Sequence, residues 1–327
     1  MHVVVLAVDG MFDSGLSAVL DVLATANALR ADQPGAPPPF EVTVVGVTAR
    51  VRTGQGLVLA TTPVADLAAA PDLVMTPAVG FRAPGEIVDI VRAHPVLDWL
   101  CTSVDAGSAV AAACSGTFFL GEAGLLDGVL ATTSWWLGPA FRARYPAVRL
   151  DERLTIAEEG RVTTAGAAFA HIDLALSVVA RQSPDLAEQV SRHLLIGPRP
   201  SQATFAVPAQ LASADPVIKA FERWVRDHLD EPLSINEIAG RIGLSERALQ
   251  RATAAVLGMS PLDFVQEIRI DQARFLLRTT RQSPESVALA VGYANASTLR
   301  ALVRRRRDVT LTELAGRSGR RSDTTGW

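Results

Sequence analysis

The feature that most constrains this chain is a change of pattern about two-thirds of the way along it. Up to about residue 195, short apolar runs rich in Val and Ala alternate with longer segments of helical spacing; from Val217 onward the strand signal disappears and apolar residues recur at helical intervals. Between the two regimes lies "IGPRPSQATFAVPAQLASADP" (196–216), in which neither period persists and which reads as a linker. A chain of 327 residues divided in this way is expected to form two domains. The first covers 1–195 and the second 217–314, and the arginine-rich tail 315–327 is expected to be disordered.

In the first regime "HVVVLAV" (2–8), "FEVTVVGV" (40–47), "DLVMTP" (72–77) and "GSAVAAAC" (107–114) are largely apolar, as strands buried on both faces are. Helical segments separate them: 12–30, and "EIVDIVRAHPVLDWLCTS", broken near Pro95. Further on come a helix over 117–124, a strand end "ATTS" (131–134), a helix through "LGPAFRARY", short strands around "RLTIAE" and "RVTTA", and a helix over 171–181. This order predicts an α/β fold, a mostly parallel sheet sandwiched by helices in the flavodoxin-like or amidotransferase-like manner.

Composition narrows the function classes. No apolar run approaches the roughly 18 to 20 residues of a membrane span, and "MHVVVLAVDG" lacks the basic start of a signal peptide, so a soluble, cytoplasmic protein is expected. Two cysteines, Cys101 and Cys114, supply neither a disulfide framework nor metal-ligand spacing, and no metal or cofactor is expected. A single lysine, Lys219, among many arginines, with abundant alanine, suggests a GC-rich bacterial coding sequence. Residues 1–214 carry a net charge of −7 and residues 215–327 one of +4, which points to an anionic partner such as DNA for the helical third.

That third holds the same pattern twice. In "LSINEIAGRIGLSERALQRATAAVLG" (233–258), Ile238, Ala239 and Ile242 form an apolar stripe, Gly243 supplies a turn, Leu244 plugs the core and Ser245 caps a second helix. Leu249 then faces inward while Glu246, Arg247, Gln250 and Arg251 face out, as on a recognition helix. About fifty residues on, "SPESVALAVGYANASTLRALVRRRRDV" (283–309) repeats it with Val287, Ala288 and Val291, a turn at Gly292, Tyr293 and Ala294, and Ser297, Thr298, Arg300 and Arg304 facing out. "PLDFVQEIRIDQARFLLRT" (261–279) is a long amphipathic helix between them. Within "RRRR" (304–307), one or two members are expected to neutralise phosphates without reading sequence.

Residues 217–314 thus resemble the AraC/XylS-type DNA-binding domain. Leu249, Gly258, Ser260 and Pro261 fall on its L…G-x-S-P pattern, and "RIDQARFLL" resembles its linker helix. The second half has Leu299 where an aromatic is usual, Asp308 at the usual glycine and Leu311 at the usual proline. The resemblance implies double-stranded DNA as the partner.

Upstream, a strand leads into Ala112-Ala113-Cys114-Ser115-Gly116, the shape of a nucleophile elbow, in which the following helix N-terminus is expected to lower a thiol's pKa. With "EAGLLDG" and "TTAGAAFAHIDLAL" downstream, residues 1–185 resemble the PfpI-like domain of the class I glutamine amidotransferase-like superfamily, and the two matches together resemble the GlxA-like regulators. In enzymes of this superfamily an acid on the first helix, the elbow cysteine and a histidine act together, and the resemblance lays Asp21 and Cys114 on the first two. Ser134 stands where the histidine should be, and a serine cannot take a thiol proton near neutral pH. Ala78 and Val79 replace the glycine pair of the oxyanion loop. His171 is the one substitute base in view, against the plainer reading of a capping or core residue. A ligand pocket of Asp21, Cys114, Ser115, Ser134, Trp135 and His171 at the C-terminal edge of the sheet is expected, for a small-molecule effector, with the domain forming a homodimer.

The favoured reading is a transcriptional regulator that is not an enzyme. A cysteine-dependent amidase or hydrolase fused to a DNA-binding domain, and an α/β module that only dimerises, stay open as alternatives.

Overall fold

The computed structural model describes residues 1–31, 35–80, 83–197, 202, 215–307 and 309–315. The chain divides into two compact units, Met1–Ala203 and Thr204–Trp327.

The first unit is an α/β layer structure. Its elements are β1 (His2–Leu6), α1 (Asp13–Arg30), β2 (Glu41–Gly46), β3 (Arg50–Arg52), β4 (Val58–Ala60), β5 (Thr62–Pro63), β6 (Leu73–Thr76), α2 (Pro84–Val91), α3 (Val96–Asp105), β7 (Ala109–Ala113), α4 (Thr117–Glu122), β8 (Leu130–Ala131), α5 (Gly138–Arg144), β9 (Arg149–Leu150), β10 (Ile156–Glu159), β11 (Val162–Ala165), α6 (Ala170–Gln182) and α7 (Pro184–His193). Seven strands form one sheet in the order β10-β11-β7-β6-β1-β2-β5, parallel throughout except for the antiparallel edge pair β10–β11. The apolar runs sit at its centre, where Val3 to Leu6, Leu73 to Met75 and Val110 to Ala113 are each at most 2% exposed. The helix expected to break near Pro95 is two helices, α2 and α3, with Pro95 as the N-cap of the second, where its fixed φ is harmless. The β3–β4 hairpin and α7 lie beyond the sequence expectations.

The second unit is helical: α8 (Pro216–Asp227), α9 (Ile235–Arg241), α10 (Glu246–Leu257), α11 (Pro261–Thr279), α12 (Pro284–Ala290), α13 (Ala296–Arg307) and α14 (Leu311–Leu314). Asp215 caps α8 through the Val217 and Ile218 amides. Leu299, in place of an aromatic, is fully buried among Val287, Ala288, Leu302 and Val303.

Most of the segment read as a linker and nearly all of the tail lie outside the described residues, as does Asp308. Two linker residues do not behave as spacer. The Ile196 amide bonds to the Ser191 carbonyl at 2.8 Å, and Gln202, only 4% exposed, is hydrogen-bonded into the α/β unit.

Candidate functional site: paired helices and a cysteine elbow

The two helix-turn-helix units share their turn chemistry. After α9 and α12 the chain passes through left-handed glycines, Gly243 at φ 77° and Gly292 at φ 76°. The next residue donates back to the helix: Leu244 N–H to the Ala239 carbonyl at 2.8 Å, and Tyr293 N–H to the Ala288 carbonyl at 2.9 Å. A side chain at Gly292 would also overlap Arg269 and the Leu229 carbonyl. Ser245 caps α10 by accepting the Ala248 amide at 3.2 Å. In the second unit the turn is one residue longer, and Asn295, which the sequence reading passed over, accepts the Thr298 amide at 2.9 Å. Each such cap stabilises its helix by about 1 kcal/mol.

Capping boxes start two further helices and accommodate one departure from the family pattern, Leu311 of α14. α11 starts with a capping box between Ser260 and Asp263, and α14 starts with one between Thr310 and Glu313. Leu311 therefore takes the place of proline without loss of the helix start.

On α10, Arg247, Gln250 and Arg251 are exposed, as is the cap Ser245; Glu246 is half-buried and accepts from the Gln250 side chain at 3.1 Å. On α13, Ser297, Thr298, Arg300 and Arg304 are exposed, Arg300 lying 3.7 Å from Glu285. The arginine run divides. Arg304 and Arg305 are exposed, whereas Arg306 pairs with Asp263 and Glu267 and Arg307 is buried against Glu267. Burial pushes the Glu267 carboxyl up, against the pull of Arg307 and Arg306. These pairs tie α13 to α11, a role that sequence spacing of about forty residues does not reveal. Arg269 of α11 is a second strut: its guanidinium donates to the Leu229 and Glu231 carbonyls at 3.3 and 2.9 Å and lies 5.1 Å from the Tyr293 ring centroid.

In the first unit the elbow is present. Cys114 follows β7 with φ 55°, a left-handed conformation that costs a non-glycine residue about 1–2 kcal/mol. Its carbonyl accepts from the hydroxyls of Thr117 and Thr133, both at 2.7 Å. A Cβ on Gly116 would stand 2.7 Å from the Pro77 carbonyl oxygen, so only glycine fits there.

The thiol of the elbow is enclosed. Cys114 is 7% exposed, and the Ser134 hydroxyl donates to its Sγ at 2.8 Å while accepting the Ala167 amide at 3.1 Å. Burial pushes the thiol up, against the smaller effects of hydrogen bonds from Ser134 and Ser115. At Cys114 desolvation by burial outweighs these hydrogen bonds.

His171 is not a substitute base. Its Nε2 accepts the Ala78 amide at 3.2 Å, which puts the proton on Nδ1, and Nδ1–H donates to the Ala168 carbonyl at 2.5 Å. Both nitrogens are thus engaged by backbone, and burial lowers the pKa to about 4. The ring packs on Gly15 of α1, where a Cβ would come within 2.9 Å of it. The Ala78 N–H is consumed by His171, and the Ser115 hydroxyl donates to the Val79 carbonyl at 2.9 Å, so this loop is braced.

Asp21 requires the clearest correction. It lies exposed on α1, whose buried face is Leu16, Val19, Val22, Leu23 and Ala26, so it cannot serve as the acid of the elbow. Of the six residues expected to line a pocket, Cys114 and Ser134 touch, Ser115 and His171 hold the adjoining loop, and Trp135 is half-buried with its N–H on the Gln202 side chain at 3.1 Å. Ser115, Ser134 and His171 are at most 1% exposed, so they form a closed polar cluster and do not line an open cleft. A cleft of about 340 Å³ does open elsewhere, between Glu122, Asp127, Arg144 and Tyr145.

Among known proteins, the helix-turn-helix domain family matches residues 238–317. The transcriptional regulator CdhR of Pseudomonas aeruginosa is 34% identical over 187 residues, 56% of this chain and 55% of CdhR. GlxA of Rhizobium meliloti is 27% identical over 63% of this chain and 64% of its own length. The regulatory protein SoxS of Escherichia coli is 31% identical over 94 residues, which cover 29% of this chain and 88% of SoxS. The match spans between 55% and 58% of the length of the first curated relatives. Among solved structures, an AraC family transcriptional regulator from Pseudomonas putida matches 59% of this chain and 98% of its own at 27% identity, with a TM-score of 0.50. A ThiJ/PfpI family protein from Pseudomonas syringae, 19% identical, shares the fold over 65% of this chain and 83% of its own, with a TM-score of 0.52. Among the described residues, no helix is long and apolar enough to cross a membrane.

Proposed function

Because this chain belongs to the AraC family of helix-turn-helix transcriptional regulators, with an α/β unit of the PfpI fold ahead of the helical one, we propose that it binds operator DNA in the bacterial cytoplasm. The observation that carries this reading is the pair of helix-turn-helix units, built on the same glycine turn and each exposing a polar, arginine-bearing helix face. Arg247, Gln250 and Arg251 of α10 read base edges; Ser245 and Glu246 serve mainly its start. Ser297, Thr298, Arg300 and Arg304 of α13 engage a second groove segment or the phosphates beside it.

The α/β unit acts as a non-catalytic dimerisation and sensing module that brings two helical units to neighbouring half-sites and takes a small-molecule effector. The closed cluster around Cys114, in which both His171 nitrogens and the Ala78 amide are already bonded, supports a role other than hydrolysis.

Footprinting of genomic fragments captured by the full chain tests the reading. Salt-sensitive binding in the nanomolar range at discrete sites is expected. Arg247→Ala with Arg251→Ala should weaken it by about a hundredfold or more, each contact contributing about 1–3 kcal/mol. Retention of specific binding by that double variant would remove α10 as the reading helix.

A further inference from the structure

We propose that the α/β unit contains a binding socket for a primary carboxamide, filled in this structure by the chain's own Gln202, and that a small molecule bearing that group competes for it. The proposal rests on the reading of this unit as a sensor and names where and by what chemistry an effector is held.

Gln202 is 4% exposed although it follows a Pro-rich stretch with no strand or helix pattern. Its Nε2 donates to the Thr133 carbonyl at 2.7 Å, the Leu154 carbonyl at 3.0 Å and the Thr132 hydroxyl at 3.2 Å. Its Oε1 accepts the Trp135 amide at 3.1 Å. The Thr132 hydroxyl gives its own proton to the Leu154 carbonyl at 2.9 Å, which leaves a lone pair for the incoming N–H. The site therefore presents acceptors on one side and a donor on the other, the pattern a primary carboxamide answers. A carboxylate would set a bare oxygen against three acceptors, and an ammonium would leave the Trp135 amide without a partner.

Two features shape the socket without drawing on Gln202's own hydrogen bonds. Gly166 leaves the space, since a Cβ there would overlap the Gln202 amide. The walls are held by other bonds, Thr132 N–H to the Thr164 hydroxyl at 2.8 Å and the Thr133 hydroxyl to the Cys114 carbonyl at 2.7 Å. The second of these joins the socket to the elbow, at the C-terminal edge of the parallel sheet where open α/β folds place ligands.

The occupant is tethered. Gln202 is the last described residue before Asp215, which caps α8 of the helical unit. An effector that takes the socket must displace the Gln202 side chain, so occupancy by one excludes the other. A tethered group competes at an effective concentration in the millimolar range, so the intact chain binds a free amide more weakly than one lacking the Gln202 side chain.

The test uses full-length Gln202→Ala and propionamide, the glutamine side chain cut free at Cβ, with propionate as its isosteric control. Amide hydrogen exchange at Trp135 should accelerate about tenfold or more in Gln202→Ala, as expected when a buried N–H loses its acceptor. Propionamide should restore protection and propionate should not, and the wild type should show no response at the same concentrations. Adding Thr132→Val should abolish the rescue. Should Gln202→Ala fail to fold, Gln202→Glu supplies the same readout, with Trp135 deprotected by repulsion of the carboxylate from the socket. Equal protection by propionate, or no effect of propionamide on a folded Gln202→Ala chain, would overturn the proposal. Operator binding measured on the same samples keeps the two readings apart, because its loss in the wild type would count against DNA recognition and leave the socket untouched.

Discussion

At the elbow and on the recognition helices the chain places similar polar side chains in opposite circumstances. Around Cys114 every hydroxyl, thiol and imidazole named above is closed off from solvent and bonded to the protein: Ser134 to Cys114 and Ala167, Ser115 to Val79, His171 to Ala78 and Ala168. On α10 and α13 Arg247, Gln250, Arg251, Arg300 and Arg304 are exposed, while the apolar residues beneath them, Leu249 and Leu299, are fully buried. A buried group that is already bonded holds structure, because its capacity has been used; an exposed one on a helix face is accessible to a partner from outside. The polar groups around Cys114 are thus committed to holding the α/β unit together, whereas those on the outer faces of α10 and α13 remain accessible.

The contrast can be broken most severely at His171. His171→Ala removes a ring that fills space beside Gly15 and leaves the Ala78 amide buried without a partner, at an expected cost of about 2–4 kcal/mol in chemical denaturation. His171→Gln, which can both accept from Ala78 and donate to Ala168, should lose much less. The pH profile separates them further. The folded pKa of about 4 lies below the ordinary 6.5, so the neutral ring's contribution is complete above about pH 6.5 and is lost as pH falls towards 4. The loss is on the order of 3 kcal/mol, and the difference between wild type and His171→Gln over that window should show it.

On the exposed side, Arg304 and Arg306 sharpen the comparison within one helix. Arg304→Ala should lower the slope of log affinity against log salt by about 1 with little change in stability. Arg306→Ala should leave that slope alone and destabilise the helical unit by about 1 kcal/mol through loss of its pairs with Asp263 and Glu267. The smallest effect is expected at Ala167, held at φ 49° beside Ser134. Ala167→Gly should raise stability by about 0.5–1 kcal/mol in a thermal melt, by removing the left-handed penalty of a residue with a Cβ.

The sequence made the strand and helix alternation and both helix-turn-helix units legible, because each rests on a period that burial enforces locally. Cys114 and Ser134 were legible as neighbours through the family resemblance, and the Ser134 hydroxyl does donate to the Cys114 thiol at 2.8 Å. Asp21 was misplaced although a signal existed: Leu16, Val19, Val22, Leu23 and Ala26 mark the inner face of α1, and Asp21 falls off it. The inward turn of Arg306 and Arg307 had no local signal, since their partners lie on α11. Gln202 had none either; its burial depends on acceptors at Thr132, Thr133 and Leu154 that only the folded sheet brings together.

The central claim is tested most directly by titrating one footprinted operator with three full-length proteins at fixed salt: wild type, Cys114→Ser, and Arg247→Ala with Arg251→Ala. The account predicts that Cys114→Ser binds as wild type does, while the double arginine variant falls by about a hundredfold towards its affinity for unrelated DNA. Undiminished specific binding by the double variant, or a comparable loss in Cys114→Ser, would contradict it.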